Sequence, residues 1–388
     1  MKPFRWMYCS FMALALIAGI YSGFRVFYII FFTQFLMVAA VLAISLWTVY
    51  TFRFKQELSV KTCAKGKEAF LHLEIANEKP IPLSLIEVHV DVVSYRENIN
   101  LVFSLAPYSG KTFRIPVVTP YRGRYKVGMT KLKITDIFGL TSFPFDMRRL
   151  SYYRMKELVV LPKARIPGTV SADIEDTKYF GDPYLKQAET GDTVSGARLF
   201  HEGDALRRVH WKKSAQQGEL FVKQFEYPER ERVMMLVDTA AHGLSGEDLL
   251  VYADTVCECA SSIALHSLTQ NRLVYIMNSA DFGMPIECDA LSGLENIRRH
   301  LALLPFDEKA DLSGTLSKSS HGYEQAYALF VLTRGAEPAY MQAIERMLSS
   351  YRSVTLVIVG GPKPGGRIHT LYVEPGTEAA DSLSGLFT

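Results

Sequence analysis

"VMMLVDTAAHG", residues 233–243, decides how the second half of the chain folds. Its first residues form a short apolar run that closes on Asp238, and the segment after it, "EDLLVYADTVCECASSIALHSL" (247–268), changes to a helical period. Leu250, Ala253, Val256, Cys257, Ala260 and Ala264 fall near one face of that helix. Reading onward, "RLVYIM" (272–277), "LENIRRHLALL" (294–304), "ALFVLT" (328–333), "PAYMQAIERMLSSY" (338–351) and "SVTLVIVG" (353–360) read strand, helix, strand, helix, strand. Apolar strands alternating with helices predict an α/β doubly wound parallel sheet covered on both faces over residues 231–388, whose ligands would lie at the carboxyl ends of the strands.

The acid closing the first strand resembles the metal-site position of von Willebrand factor type A domains. That site uses Asp-x-Ser-x-Ser, because a hard divalent cation wants a carboxylate and hydroxyl oxygens on one turn. Asp238 is present, but Ala240 and His242 occupy the two serine positions, and Arg334 stands in "LTRG" (332–335) where a ligand acid is hoped for. We therefore expect a degenerate position at Asp238 and no metal. The glycine-rich "VGGPKPGGR" (359–367) places Gly366 where a phosphate loop requires lysine and Arg367 in place of Ser or Thr, so it reads as a mobile turn. No G-x-S-x-G, H-E-x-x-H or C-x-x-C motif occurs, and neither a catalytic set nor a cofactor is expected.

Upstream, between Glu57 and Phe145, the pattern is alternation. Leu71, Leu73 and Ile75 alternate with polar partners, as do Ile86, Val88, Val90 and Val92, then Leu101, Phe103 and Leu105. The turns "NEKPIP", "APYSGK" and "YRGRY" separate these short strands. They predict an antiparallel β-sandwich of immunoglobulin-like size over residues 55–160.

Further upstream, charge is absent from Trp6 to Gly23 and again from Val26 to Phe52, with Arg25 between. Two apolar runs in succession predict a transmembrane helical hairpin over residues 1–54. A signal peptide and a buried core hairpin are the rival readings; against the first, no small-x-small cleavage site precedes Arg25 and a second apolar run follows. Lys2 and Arg5 before the first run, and Arg53 and Lys55 after the second, place both ends in the cytoplasm by the positive-inside rule. The expected location is the cell membrane, with two spans and cytoplasmic soluble domains. Five cysteines imply no disulfide framework, and a formal net charge of +3 over 388 residues gives no reason to expect nucleic acid.

Between sandwich and sheet, residues 161–230 contain the densest polar stretch, "GARLFHEGDALRRVHWKKSAQQGELFVKQFE" (196–226). Asp204, His210 and Glu202 could serve acid or base work, and Ser214 could meet His210 at i and i+4, but nothing orients that histidine. An arginine fork on a carboxylate beside a tryptophan suits structure better. Arg198, Asp204, Arg207 and Trp211 are expected to form a buried clamp, or part of a docking surface.

The stretch resembles the signature of the family known as domain of unknown function 58 (DUF58). Matching positions include Arg198, Gly203, Asp204, Arg207, Trp211, Lys212, Ser214, Ala215, Leu220, Val222, Lys223, Phe225 and Glu226, with Phe200 and Val209 as mild departures. "YRGRYKVGMTKLKITDIFGLTSF" (121–143) also resembles family elements, with Ile137 in place of a proline. The resemblance implies a membrane protein that works beside a MoxR-type AAA+ ATPase and often a membrane transglutaminase-like protein; it implies no reaction. The expected function is thus a membrane-anchored, non-enzymatic adaptor or scaffold in the assembly or maturation of envelope-associated proteins. The bilayer and the ATPase are its expected partners, with the sandwich as a stalk. The alternative is an envelope-associated hydrolase or transferase centred on Asp204 and His210.

Overall fold

The computed structural model describes the chain apart from residues 1, 51, 93–96, 137–138, 140–141, 152, 167–193, 202–205, 226–229, 280–284, 308–309, 311, 313, 316–327, 336, 349–350, 363–367 and 385–388. It divides into two units, Met1–Leu161 and Pro162–Thr388.

The first unit opens with helices α1 (Lys2–Ser22) and α2 (Arg25–Tyr50). The chain turns between them at Gly23, which takes the left-handed φ of +67° that glycine tolerates. They pack side by side: the Tyr8 hydroxyl donates to the Gln34 carbonyl at 3.4 Å, and a Cβ at Gly19 would touch the Tyr28 ring at 3.3 Å. Among the described residues, Arg25–Thr48 of α2 is the one stretch long and apolar enough to cross a bilayer, while Trp6–Ser22 of α1 is a shorter apolar run.

Nine strands follow: β1 (Arg53–Leu58), β2 (Thr62–Ala64), β3 (Ala69–Asn77), β4 (Leu83–Val92), β5 (Glu97–Leu105), β6 (Ser109–Val117), β7 (Gly123–Thr135), β8 (Ser142–Asp146) and β9 (Lys156–Leu161). They form one sheet in the order β1-β3-β6 and another in the order β2-β9-β7-β4-β5, with β8 on β7. Period-two alternation fills the space between them, since Leu71, Leu73 and Ile75 of the first sheet share a core with Ile86, Val88 and Val90 of the second. The pairing is not wholly antiparallel as expected: β2 and β9 run parallel. These two strands are ninety-odd residues apart in sequence, so no hairpin constrains their direction.

One stripe of α2 (Val41, Ser45 and Thr48) is buried. With Ile44 it faces Ile81, Pro82, Leu83, Ile134, Thr135 and Asp136 of the sandwich across a cavity of about 80 Å³. The helix end is clasped as well. The Lys79 ammonium, in the β3–β4 turn, donates to the carbonyls of Trp47 (3.3 Å) and Thr48 (3.2 Å) and lies 5.5 Å from the Trp47 ring centre. A cation on the last carbonyls complements the negative end of the helix.

In the second unit a two-stranded ribbon, β10 (Val194–Leu199) with β11 (Phe221–Phe225), encloses the short helix α3 (Trp211–Gln217). The main sheet comprises β12 (Arg232–Val237), β13 (Leu273–Asn278), β14 (Ile286–Cys288), β15 (Ala328–Thr333), β16 (Ser353–Val359) and β17 (His369–Val373). Its order is β14-β13-β12-β15-β16-β17, parallel throughout except where β14 meets β13. Counted from β12 this is the doubly wound order 3-2-1-4-5-6, and the winding reverses between β12 and β15. Val233, Met235 and Val237 face a core shared with α4 (Gly246–Thr269), α5 (Leu294–Leu303) and α7 (Ala379–Ser382). Met234 and Leu236 face the opposite core, with Ile344 of α6 (Pro338–Met347).

Helix α4 departs from the expected single apolar face. It is buried nearly all round, yet Leu250 is 44% exposed. Part of its cover is the chain entering the unit: the Arg165 amide donates to Ser262 Oγ at 3.2 Å, and Ala164 and Ile166 pack on the same core. The Arg298 guanidinium holds that segment with two bonds to the Pro162 carbonyl, at 2.7 and 2.9 Å. Cys257 and Cys259 lie in this interior, where burial raises the Cys259 thiol far above its ordinary value.

Candidate functional site

The switch point of the sheet carries a closed polar network. Asp238, immediately after β12, is 0% exposed. Its Oδ1 accepts from the Ala240 amide (3.0 Å) and Ser279 Oγ (3.1 Å); its Oδ2 accepts from Thr333 Oγ1 (2.6 Å) and His242 Nε2 (2.9 Å). Ser279 follows β13 and Thr333 closes β15, so three parallel strands deliver their ends to one carboxylate. Ser279 Oγ also accepts from the Thr239 amide at 2.8 Å, and Thr333 Oγ1 accepts from the Gly335 amide at 3.0 Å. His242 holds a left-handed φ of +49° and stacks edge-on to Tyr252, centroids 6.1 Å apart. Burial, and then the Asp238 charge, push the Tyr252 phenol well above its ordinary value.

Both serine positions of the Asp-x-Ser-x-Ser pattern are thereby accounted for. Ala240 contributes only its amide and His242 turns its ring onto the carboxylate that a cation would share. The side chain of His242 is 13% exposed. Among the described residues no three His, Cys, Asp or Glu side chains gather as a metal ligand set. Sequence reasoning passed over Ser279 and Thr333, although both stand at carboxyl ends of strands, which was the available signal.

The signature stretch folds as strand, turn, helix, strand. His210 caps α3, its Nδ1 accepting from the Lys213 amide at 3.3 Å, and Gly218 ends the helix with a left-handed φ of +76°. Ser214 is buried: its Oγ donates to the His210 carbonyl (3.1 Å) and accepts from the Phe221 amide (2.8 Å), tying helix to ribbon. Ser214 and His210 do meet at i and i+4, but hydroxyl meets carbonyl. The imidazole lone pair is spent on a backbone amide, so the two side chains form no nucleophile and base pair.

The carboxylate of the expected clamp, Asp204, lies outside the described residues, and the clamp residues that are described are exposed rather than buried. Trp211 is 64% exposed, Arg207 and Lys212 are exposed, and Arg198 is exposed with one guanidinium nitrogen bonded to the Leu199 carbonyl at 3.1 Å. The anchor role falls to Val209 and Val222, which are buried and bridge as an isolated β pair. Trp211 is the first residue of the helix and is exposed, while Ser214 bonds the ribbon through the Phe221 amide. Glu202, Gly203 and Asp204 lie outside the described residues.

Fold and sites together define a protein of two units. One is a β-sandwich carrying apolar helices; the other is a doubly wound α/β unit with a hydrogen-bonded carboxylate at its switch point and an exposed aromatic motif ahead of its sheet. Residues 196–360, from the signature stretch through β16, match the model of the family described as "Protein of unknown function DUF58", which supports the resemblance to that family. A search of the curated proteins gives no match.

Among solved structures, the CARDB domain of the PF1109 protein from Pyrococcus furiosus is 14% identical over 28% of this chain and 93% of its own, with a TM-score of 0.21. The alkylpurine DNA glycosylase AlkC of Pseudomonas fluorescens is 16% identical over 24% of this chain and 30% of its own, with a TM-score of 0.17. A GH20 exo-β-N-acetylglucosaminidase of Vibrio harveyi is 9% identical over 81% of this chain and 68% of its own, with a TM-score of 0.19. Likenesses of this size add nothing to the fold described from its own strands.

Proposed function

We propose that the protein is a membrane-anchored, non-enzymatic adaptor. Its two N-terminal helices form a hairpin in the bilayer, its soluble units lie in the cytoplasm, and its α/β unit is a degenerate von Willebrand factor type A-like domain. The exposed face of the signature motif docks a MoxR-type AAA+ ATPase during assembly or maturation of envelope-associated proteins; a membrane transglutaminase-like protein is a further candidate partner.

The observation that carries this reading is the exposure of Trp211 on a motif in which Ser214 and His210 are already used in internal hydrogen bonds. A large aromatic ring at the surface, beside Leu206, Arg207 and Lys212 and held in place by Ser214 and His210, has the composition of an interface anchor. Asp238 is saturated by its own hydrogen bonds and His210 caps α3, so neither of these two groups is set up as a general base. The apolar length of α2 supports the anchor.

The test is affinity purification of tagged full-length protein from gently solubilised native membranes, with Arg207→Ala and Trp211→Ala alongside. The reading expects an AAA+ ATPase with the wild type and its loss from both folded variants. Absence of any ATPase after in-cell crosslinking overturns it.

A further inference from the structure

The sandwich was expected to stand as a stalk between bilayer and α/β unit, but the depth at which α2 meets it argues otherwise. Tyr8 meets Gln34, and Gly19 meets Tyr28, so the helices run antiparallel. Arg5 and Lys2, one to two turns before Tyr8, therefore come level with the part of α2 just short of Val41. Between Arg5 and Arg25 the sequence carries no charge. At a rise of about 1.5 Å per residue this interval measures roughly 28 Å, close to the ~30 Å hydrocarbon core of a bilayer.

On that measure α2 leaves the hydrocarbon between Val41, level with Lys2, and Ile44, about 28 Å along the helix from Arg25, and its remaining turns to Thr48 climb about 6–10 Å, through the headgroup layer. Those are the turns that pack on the sandwich: Val41, Ile44, Ser45 and Thr48 face Ile81, Pro82, Leu83 and Ile134. Lys79 binds the carbonyls of Trp47 and Thr48, and the Tyr108 amide, in the β5–β6 turn, donates to the Lys79 carbonyl at 3.1 Å. Both turns are thus held at the height of the headgroups. Their outer surface suits that layer: Tyr108 is 71% exposed, Pro80 and Pro82 are exposed, and Trp47 is half-exposed on α2. Tyr and Trp favour this zone because an apolar ring and a polar edge are both satisfied there. The neighbouring acid, Glu78, is paired with Arg53 at 3.3 Å.

We propose that the sandwich is seated in the headgroup layer of the bilayer through its β3–β4 and β5–β6 turns. Tyr108 is the interfacial anchor, and the clasp of Lys79 on the end of α2 fixes the depth. The inference rests on the membrane reading above and goes beyond it by naming lipid headgroups as a ligand of the sandwich.

Full-length protein in phosphatidylcholine vesicles tests this. Cys9 is the exposed native thiol and the other four are buried, so a Cys9→Ser background accepts an environment-sensitive dye at one introduced cysteine. Tyr108→Cys and Pro82→Cys report the two turns, Phe32→Cys reports the middle of α2, and Val118→Cys reports the far end of β6, about 30 Å along the strand. A nitroxide on the lipid headgroup should quench positions 108 and 82 severalfold more than 118, and one on the acyl chain should quench position 32. If position 32 is quenched while 82 and 108 behave like 118, the sandwich stands clear of the surface: the seating is wrong and the anchor survives. If position 32 is not quenched, the membrane reading fails and the seating with it.

Discussion

At the scale of single residues, the signature stretch separates what holds the motif from what it displays. Ser214→Ala removes the side-chain acceptor of the part-buried Phe221 amide and should cost about 1 kcal/mol. Trp211→Ala trims an exposed ring and should change stability by no more than about 0.5 kcal/mol. Denaturant melts of the two variants check the contrast, and equal losses would return Trp211 to a structural role. His266, in the last turn of α4, supplies a pH test. Burial, and then Arg272, hold its imidazole below its ordinary value, so the unfolded chain takes up the proton first as pH falls. Its contribution to stability is present above about pH 6.5 and is lost as the solution is acidified below that. In His266→Gln, a melt series from about pH 7 to about pH 5 should show a shallower acid limb than the wild type. Sequence identified the residues of the signature stretch but left Trp211 between a buried clamp and a docking surface, because exposure depends on where α3 begins. That start is set by the bonds of His210 and Phe221 rather than by any local period.

At the scale of elements, the ends of β12, β13 and β15 act as one unit through Asp238. Asp238→Ala would strand Ser279, Thr333 and His242 in a buried site and should cost about 3 kcal/mol or more. Because the carboxylate is already saturated, calorimetric titration of the wild type with magnesium, manganese or calcium should give no heat that Asp238→Ala abolishes. The sheet itself was legible: every strand and helix quoted from residue 233 to residue 360 has its counterpart, since buried parallel strands write themselves as unbroken apolar runs. The partners of Asp238 were not, because they are distant in sequence and each is an ordinary Ser, Thr or His. The glycines after β16, expected as a mobile turn, have a packing role as well. Gly360 has a left-handed φ of +64°, and a Cβ on Gly361 would lie 1.9 Å from the Arg334 carbonyl, so this pair permits a close approach of two backbones. The remainder of that turn, 363–367, lies outside the described residues.

At the scale of the whole molecule, the positive-inside argument makes a claim that a reporter can check. A fusion at Thr388 should be active with a cytoplasmic reporter and silent with a periplasmic one; the reverse would move the ATPase partner to the wrong side of the membrane. Apolar runs, alternation and the change of period after Glu231 sufficed to order the parts along the chain. They could not reveal how α2 is joined to the sandwich, because Lys79 lies in "NEKPIP", which reads as a turn and nothing more. That ammonium, set on the last carbonyls of the helix and over the Trp47 ring, ties the two together. With the proposed seating, a pull on the sandwich would become torque on the helix, and the first unit would answer as a lever whose fulcrum is the membrane surface.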